Sequence, residues 1–401
     1  MSKTILFLVD GAADDPLPEL GGKTPLEHAA TPCMDRIARQ GASGTFLTLP
    51  DGHPTSSDVA NMSVLGYDLD QFYCGRGPLE AMSQGIDLQP RDVAFRCNLV
   101  FADGDTLIDY SGGHIEHADS VPIMNDLAAA FNCAEFSFHT GVSYRNLLVL
   151  HGTQFCDRVD YNKPDASQDM QIPGIVLRPR DDSPEAAHTA AFVNKLQADT
   201  RAFLEAHPIN AGRPAPANLI WPWSPGHRPA MTPFAEKYGS SGAIISAVDV
   251  IFGLGVCADM EIIHVEGATG FVDTNYEGKA DAAVDALNRH DFVYVHVEAI
   301  DECGHMGDLP LKLQAIEDMD KRLMSRCIAA LEGQDITYAV LPDHPVPVHK
   351  RIHTRDPVPV SISGAHIIPD ACQTYSERVA PTGALGFMKG DELMRKVLNC
   401  S

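Results

Sequence analysis

Acidic and imidazole side chains follow three strand-like hydrophobic runs of this chain. Asp10 follows Ile5–Val9, Asp301 and His305 follow Phe292–Val297, and Asp343 with His344 follows Ile336–Leu341; His353 comes nine residues after His344. In an open parallel sheet such strand ends converge on one crevice. Carboxylates and neutral imidazoles gathered there from distant sequence positions are what a divalent metal needs. Six ligands are too many for one tetrahedral site with an open position and suit two metals. One histidine among 17 is ordinarily a surface or packed residue; the weight lies in three segments sharing one placement. The reading is a metal-dependent enzyme.

Alternating strands and helices must position these groups. Ile5–Val9 leads through a turn-rich stretch to an amphipathic helix over Thr31–Gln40, with apolar Met34, Ile37 and Ala38, and then to a strand over Gly44–Leu49. The alternation resumes with a helix over Ala243–Leu254, a strand over Glu261–Val265, a helix over Gly278–Asn288 and the strand Phe292–Val297. Leu313, Ile316, Leu323, Met324, Cys327 and Leu331 at helical spacing predict one helix over Leu311–Leu331, stopped by Gly333. Between these halves the character changes, with alternating strands over Ala94–Phe101 and Asn146–Leu150 and a helix over Pro184–His207. The expected architecture is therefore α/β: residues 1–79 and 229–401 form a discontinuous doubly wound catalytic domain, and residues 80–228 an inserted, smaller α+β domain that binds substrate as a lid.

A chain of 401 residues is long enough for two domains, since single cores stop growing at roughly 250–300 residues. The formal net charge of −24 argues against nucleic acid or an anionic membrane surface as partner. An anionic substrate then requires a local cluster of arginines and lysines. The apolar run before Asp10 is too short for a secretory leader, and no stretch reaches the ~18 apolar residues of a membrane span, so a cytoplasmic protein is expected. The ten cysteines are scattered without a Cys-x-x-Cys pair, which indicates neither a zinc ribbon nor a redox dithiol.

Ser56-Ser57-Asp58 opens a short helical stretch that Gly66 should stop. A serine there can be simply an N-cap. It can also be a nucleophile, because a helix N-terminus and a cation both stabilise an oxyanion. The ordered set Asp10-Gly11, Ser57-Asp58-Val59-Ala60-Asn61, Asp301-x-x-Gly304-His305-x-Gly307-Asp308, Asp343-His344 and His353-Thr354 with Asp356-Pro357-Val358-Pro359 resembles the cofactor-independent phosphoglycerate mutases. These lie within the alkaline phosphatase superfamily, and the likeness is to their archaeal-type branch. It extends through Gly75–Ala81, Phe95–Leu99, Glu236-Lys237-Tyr238-Gly239 and the stretch Gly267–Tyr276.

The resemblance implies an alkaline phosphatase-like fold. It implies one metal on Asp301, His305 and His353, and a second on Asp10, Asp343 and His344 with Ser57. Mn²⁺ is the first choice, with Mg²⁺, Zn²⁺ or Co²⁺ as alternatives, and 2,3-bisphosphoglycerate is not required. Ser57 would carry the phosphoryl group between the hydroxyls of phosphoglycerate, a small phosphorylated metabolite, and Lys237 would reach that group. Arg76, Arg96, His114, Arg145 and Arg228 are candidates for gripping carboxylate and phosphate, arginine by bidentate hydrogen bonds. Where the archaeal-type branch usually has Arg-Gly-x-Gly, this chain has Trp221-Pro222-Trp223-Ser224-Pro225-Gly226-His227-Arg228. That departure is either packing or an altered pocket; it also resembles a bacterial subgroup proposed to act as homoserine kinase. A phosphatase and a relative that only binds a phosphorylated metabolite are further alternatives. The oligomeric state is left open.

Overall fold

The computed structural model describes residues 3–400. It divides into two units, one running to Tyr73 and resuming at Ala230, the other spanning Cys74–Pro229. The motif Gly75–Ala81, which the sequence reading cut at residue 80, falls within the second unit.

In the first unit the described residues form an eight-stranded sheet in the order Glu261–Ile263, Gly242–Ile245, Phe292–Val297, Lys3–Val9, Ile336–Leu341, Val358–Ser363, Ala42–Phe46, Gly386–Met388. The strands from Glu261–Ile263 through Ile336–Leu341 run parallel, and Val358–Ser363 is antiparallel to both neighbours. Parallel strands covered on both faces read as continuous apolar runs, as Ile5–Val9, Phe292–Val297 and Ile336–Leu341 do. Ile5, Phe7 and Val9 pack with Val293, Val295 and Val297 against Met34, Ile37, Ala283, Ile316 and Leu323. Tyr294 and His296, also buried, alternate onto the opposite face. Leu8 pairs with both His296 and Leu341, so the three central strands end level. Asp10 and Asp343, each two residues further on, therefore emerge side by side.

Two expectations are corrected here. Gly242–Ile245 is a strand, and the helix starts only at Asp249; a short apolar run buried on both faces carries no periodicity to distinguish strand from helix. The expected helix over Leu311–Leu331 is Leu309–Asp318 and Ser325–Ala330 joined by a π-helical turn, Met319–Met324. In that turn Asp320 is buried and accepts the backbone N–H groups of Cys33 and Met34, opening the helix Pro32–Gln40 whose own N-cap, Thr31, makes no side-chain bond.

The second unit is an antiparallel sheet centred on Val93–Asp103, flanked by Arg145–Leu150 and Leu219–Gly226, with Thr106–Asp109 and Phe136–Val142 completing it. The helices His117–Phe131 and Pro184–Glu205 contribute Ile123, Leu127, Val193 and Leu196 to its core. No helix among the described residues is long and apolar enough to cross a membrane.

Candidate metal centre and nucleophile

The three level strand ends bring the six carboxylate and imidazole groups chosen from sequence into one cluster with Ser57. His353 Nε2 lies 3.4 Å from Asp301 Oδ1, and His305 Nε2 lies 3.4 Å from Asp301 Oδ2 and 2.9 Å from His353 Nε2. His344 Nε2 is 3.2 Å from Asp343 Oδ2 and 3.7 Å from Asp10 Oδ1, while its Nδ1 is 3.9 Å from Asp301 Oδ1. Ligand atoms of Asp301, His344 and His353 lie within 4.8 Å of one another, as do those of Asp10, Asp343 and His344. His344 thus faces both groups, whereas the family resemblance assigns it to one. His305 Nδ1 sits 2.9 Å from the carbonyl of Arg351, which leaves Nε2 free to face the cluster. Gly11, at φ 66°, lets Asp301 close on the first strand end: a Cβ there would meet Asp301 Cα at 2.6 Å.

Burial raises Asp10 well above the ordinary carboxylate range, and the charge of Asp301 adds to it. Burial likewise raises Asp343, with Asp10 beside it. Burial alone would raise Asp301 too, but the close approach of His353 and the charges of His353, His344 and His305 outweigh it and hold that group low. His344 is pushed down by burial and by His353. Three carboxylates this close cannot all ionise without positive charge among them. Asp10 Oδ1, Asp301 Oδ1, His344 Nδ1 and His353 Nδ1 are buried without a hydrogen-bond partner. Hard oxygen and imidazole donors left in this state fit divalent metal ions.

Ser57 is the first residue of the helix Ser57–Val64, and Ser56 is its N-cap. Ser56 makes no side-chain capping bond, whereas Ser57 Oγ lies 3.2 Å from His344 Nε2. Asn61, one turn on, donates to the Ser57 carbonyl at 2.8 Å and to Asp343 Oδ2 at 2.9 Å, so helix and carboxylate are tied together.

Lys237 lies on the helix Phe234–Tyr238. Its ammonium lies over the rings of Tyr67 and Tyr238, at 5.5 and 5.1 Å, and Tyr238 donates to the Leu65 carbonyl beyond the far end of the Ser57 helix. In the second unit, Arg96 is buried, paired with Glu80 at 3.1 Å and stacked 5.0 Å over Trp223. Burial lowers its pKa, and the nearby charges of Arg76 and Arg145 add to that effect. Arg145 stacks on Tyr144, Tyr144 meets Tyr110 edge-on, and Tyr110 meets His114 in the same way. Arg145 and His114 are thus linked through two tyrosines, and the charges of Arg76 and Arg145 are felt at Arg96, while Arg228 is exposed and lies 3.9 Å from Asp87. Trp221 and Trp223 pack with Val100, Ala102, Leu107 and Leu219 inside this unit, and Trp223 Nε1 donates to Asn98.

Sequence reasoning missed Tyr294, His296 and Ser246, and it gave Asn61 no role. Tyr294 donates to Asn61 Oδ1, and His296 Nε2 lies 2.9 Å from Asp10 Oδ2. Their spacing in Phe-Val-Tyr-Val-His-Val puts both on one strand face, a signal that was available.

Fold and site together define an α/β protein whose central strand ends gather carboxylates, imidazoles and a helix-start serine. Residues 38–210 match the family model for 2,3-bisphosphoglycerate-independent phosphoglycerate mutase. The chain is 42% identical to 2,3-bisphosphoglycerate-independent phosphoglycerate mutase 2 of Methanothermobacter thermautotrophicus, over 99% of this chain and 97% of that protein. It is 42% identical to a probable enzyme of the same name from Geobacter sulfurreducens, covering 99% and 100%. Among solved structures it resembles a Pyrococcus horikoshii protein (TM-score 0.84, 28% identity, 100% and 98% covered). It also resembles the cofactor-independent phosphoglycerate mutase of Thermoplasma acidophilum (TM-score 0.69, 28% identity, 100% and 99% covered). The chain belongs to the 2,3-bisphosphoglycerate-independent phosphoglycerate mutase family.

Proposed function

We propose that this enzyme interconverts 3-phosphoglycerate and 2-phosphoglycerate through a phosphoserine on Ser57. The observation that carries the reading is Ser57 Oγ at a helix N-terminus, 3.2 Å from His344 Nε2, beside buried Asp and His ligand atoms that no protein group satisfies. Two divalent ions, Mn²⁺ before Mg²⁺, Zn²⁺ or Co²⁺, held by Asp10, Asp301, His305, Asp343, His344 and His353, would lower the Ser57 hydroxyl pKa and neutralise phosphoryl charge. The Ser57 oxygen attacks phosphorus as the bond to the glycerate oxygen breaks, and that oxygen leaves with the serine proton. The glycerate then turns, its other hydroxyl attacks the same phosphorus, and the proton returns to Ser57. Lys237, its ammonium over the faces of Tyr67 and Tyr238, supplies a mobile charge to the transferring group. Arg76, Arg96, His114 and Arg145, with Arg228, hold the carboxylate and phosphate of the substrate.

A second reading, transfer to another small alcohol such as homoserine or to water, is favoured by one observation: Trp223, in the segment that departs from the archaeal-type pattern, packs directly on Arg96. Assay of Mn²⁺-loaded protein with 2- and 3-phosphoglycerate, with no added 2,3-bisphosphoglycerate, and in parallel with ATP and homoserine, separates the two. Interconversion with phosphate trapped on Ser57 is the expected result. Phosphorylation of homoserine without interconversion would replace it with the second reading.

A further inference from the structure

His296 is fully buried on the central strand Phe292–Val297, and its ring is held at both nitrogens. Nε2 lies 2.9 Å from Asp10 Oδ2, and Nδ1 lies 3.0 Å from Ser246 Oγ. Ser246, also buried, follows the neighbouring strand Gly242–Ile245 and accepts the backbone N–H of Val248 at 3.1 Å. The His296 carbonyl accepts Lys279 Nζ at 3.0 Å, so the main chain is fixed as well.

The ionisation of Asp10, required of a metal ligand, sets the direction of this chain of contacts. Ser246 Oγ accepts the Val248 N–H and, through its second lone pair or its proton, can pair with His296 Nδ1 either way. An ionised Asp10 can only accept, so Nε2 donates to it and a neutral ring accepts the Ser246 O–H at Nδ1. With Nδ1 accepting, a neutral ring carries its hydrogen on Nε2, and that hydrogen points at Asp10 Oδ2. One oxygen of Asp10 is tethered; the other, Oδ1, is buried, unpartnered and 3.7 Å from His344 Nε2. Asp343 is aimed by different means, accepting Asn61 Nδ2 on Oδ2 and the N–H groups of Gly11 and His344 on Oδ1.

We infer that His296, in its Nε2–H tautomer with Ser246 bonded at Nδ1, is a positioning residue that aims Asp10 Oδ1 at the metal centre. The inference rests on the proposed reading of Asp10 as a metal ligand. Losing such an outer partner typically costs ~10–100-fold in metal affinity. Titrating metal-free full-length protein with Mn²⁺ by calorimetry should show that loss for His296→Phe. His296→Gln, whose amide N–H keeps a donor near the Nε2 position, should recover most of it.

A second readout needs neither metal nor turnover. In ring-¹⁵N-histidine protein without metal, the His296 signal, assigned by its loss in His296→Gln, should be that of an Nε2-protonated neutral ring, and Ser246→Ala should shift it towards the other tautomer. Wild-type binding of Mn²⁺ with His296→Phe unaffected, or an Nδ1-protonated ring in wild type, would overturn this inference alone. Wild-type protein that took up no Mn²⁺ would overturn the metal reading beneath it. If His296→Phe does not fold, the Ser246→Ala tautomer shift decides the matter.

Discussion

Replacing Lys312 by Met should destabilise the first unit by about 3–5 kcal/mol, the range for removing one partner of a buried ion pair. Lys312 and Asp14 are both fully buried, and Nζ donates to Asp14 Oδ2 and to the Val346 carbonyl, each at 2.8 Å. Met fills the volume of the lysine stem but leaves the Asp14 carboxylate with only the backbone donors of Val348 and Asp15. Val346 and Val348 lie between His344 and His353, and Val346 N–H also bonds to the Ala13 carbonyl next to Asp14. The pair therefore pins the segment carrying two candidate ligands against the one that follows Asp10. Urea unfolding of the wild type, Lys312→Met, Asp14→Asn and the double variant measures the coupling. Asp14→Asn in the Lys312→Met background should recover much of the loss, with a coupling near the top of the ~0.5–3 kcal/mol seen for contacting residues. A loss below about 1 kcal/mol, the worth of one ordinary hydrogen bond, or strict additivity of the two changes, would refute the argument. Mn²⁺ affinity should fall in Lys312→Met as well, since the segment it holds carries His344 and His353.

Ser57→Ala should abolish turnover with little change in stability, because the residue is the first of its helix and not its cap; phosphate found by mass spectrometry on Ser56 instead would reverse the assignment. Arg228→Ala, at an exposed site, should raise the KM for phosphoglycerate, and an unchanged KM would count against a substrate-holding role. Arg96→Ala should add a stability loss that Arg228→Ala lacks, since it leaves the buried Glu80 unpaired; equal thermal midpoints for the two variants would contradict this. Burial pushes Glu377 from 4.5 up to about 7. The folded state then binds more protons than the unfolded one between those values, so stability should decline as pH rises through that window, by up to roughly 3 kcal/mol, and level off above it. Glu377→Gln should flatten this part of a denaturation series across pH; an unchanged slope would show that other groups produce it.

How much of this could be read in the sequence depended on where each residue's partners lie along the chain. The strands Phe292–Val297 and Ile336–Leu341 are bounded as read, because burial on both faces forces an unbroken apolar run and the strand must end where polar groups return. Asp10, Asp301 and Asp343 stood out at those ends for the same reason. Gly242–Ile245 did not, since a four-residue buried strand leaves too short a pattern, and only hydrogen bonding to Phe292–Val297 and Glu261–Ile263 makes it one. The π-helical turn was equally hidden, as it answers a cap needed by a helix 287 positions away.

Residue types and order along the chain were enough to nominate six ligands and a serine. Tertiary structure alone decided that three strands end level, that His344 faces both groups of ligands, and that Lys237 rests on two tyrosines. It also decided that His296 and Tyr294, which look like interruptions in an apolar strand, meet Asp10 and Asn61 across 286 and 233 residues. Local sequence records what a side chain can do, through its donors, acceptors and charge. Which partner it meets is set by strand order and register, which arise only when the whole sheet assembles and no single segment encodes them.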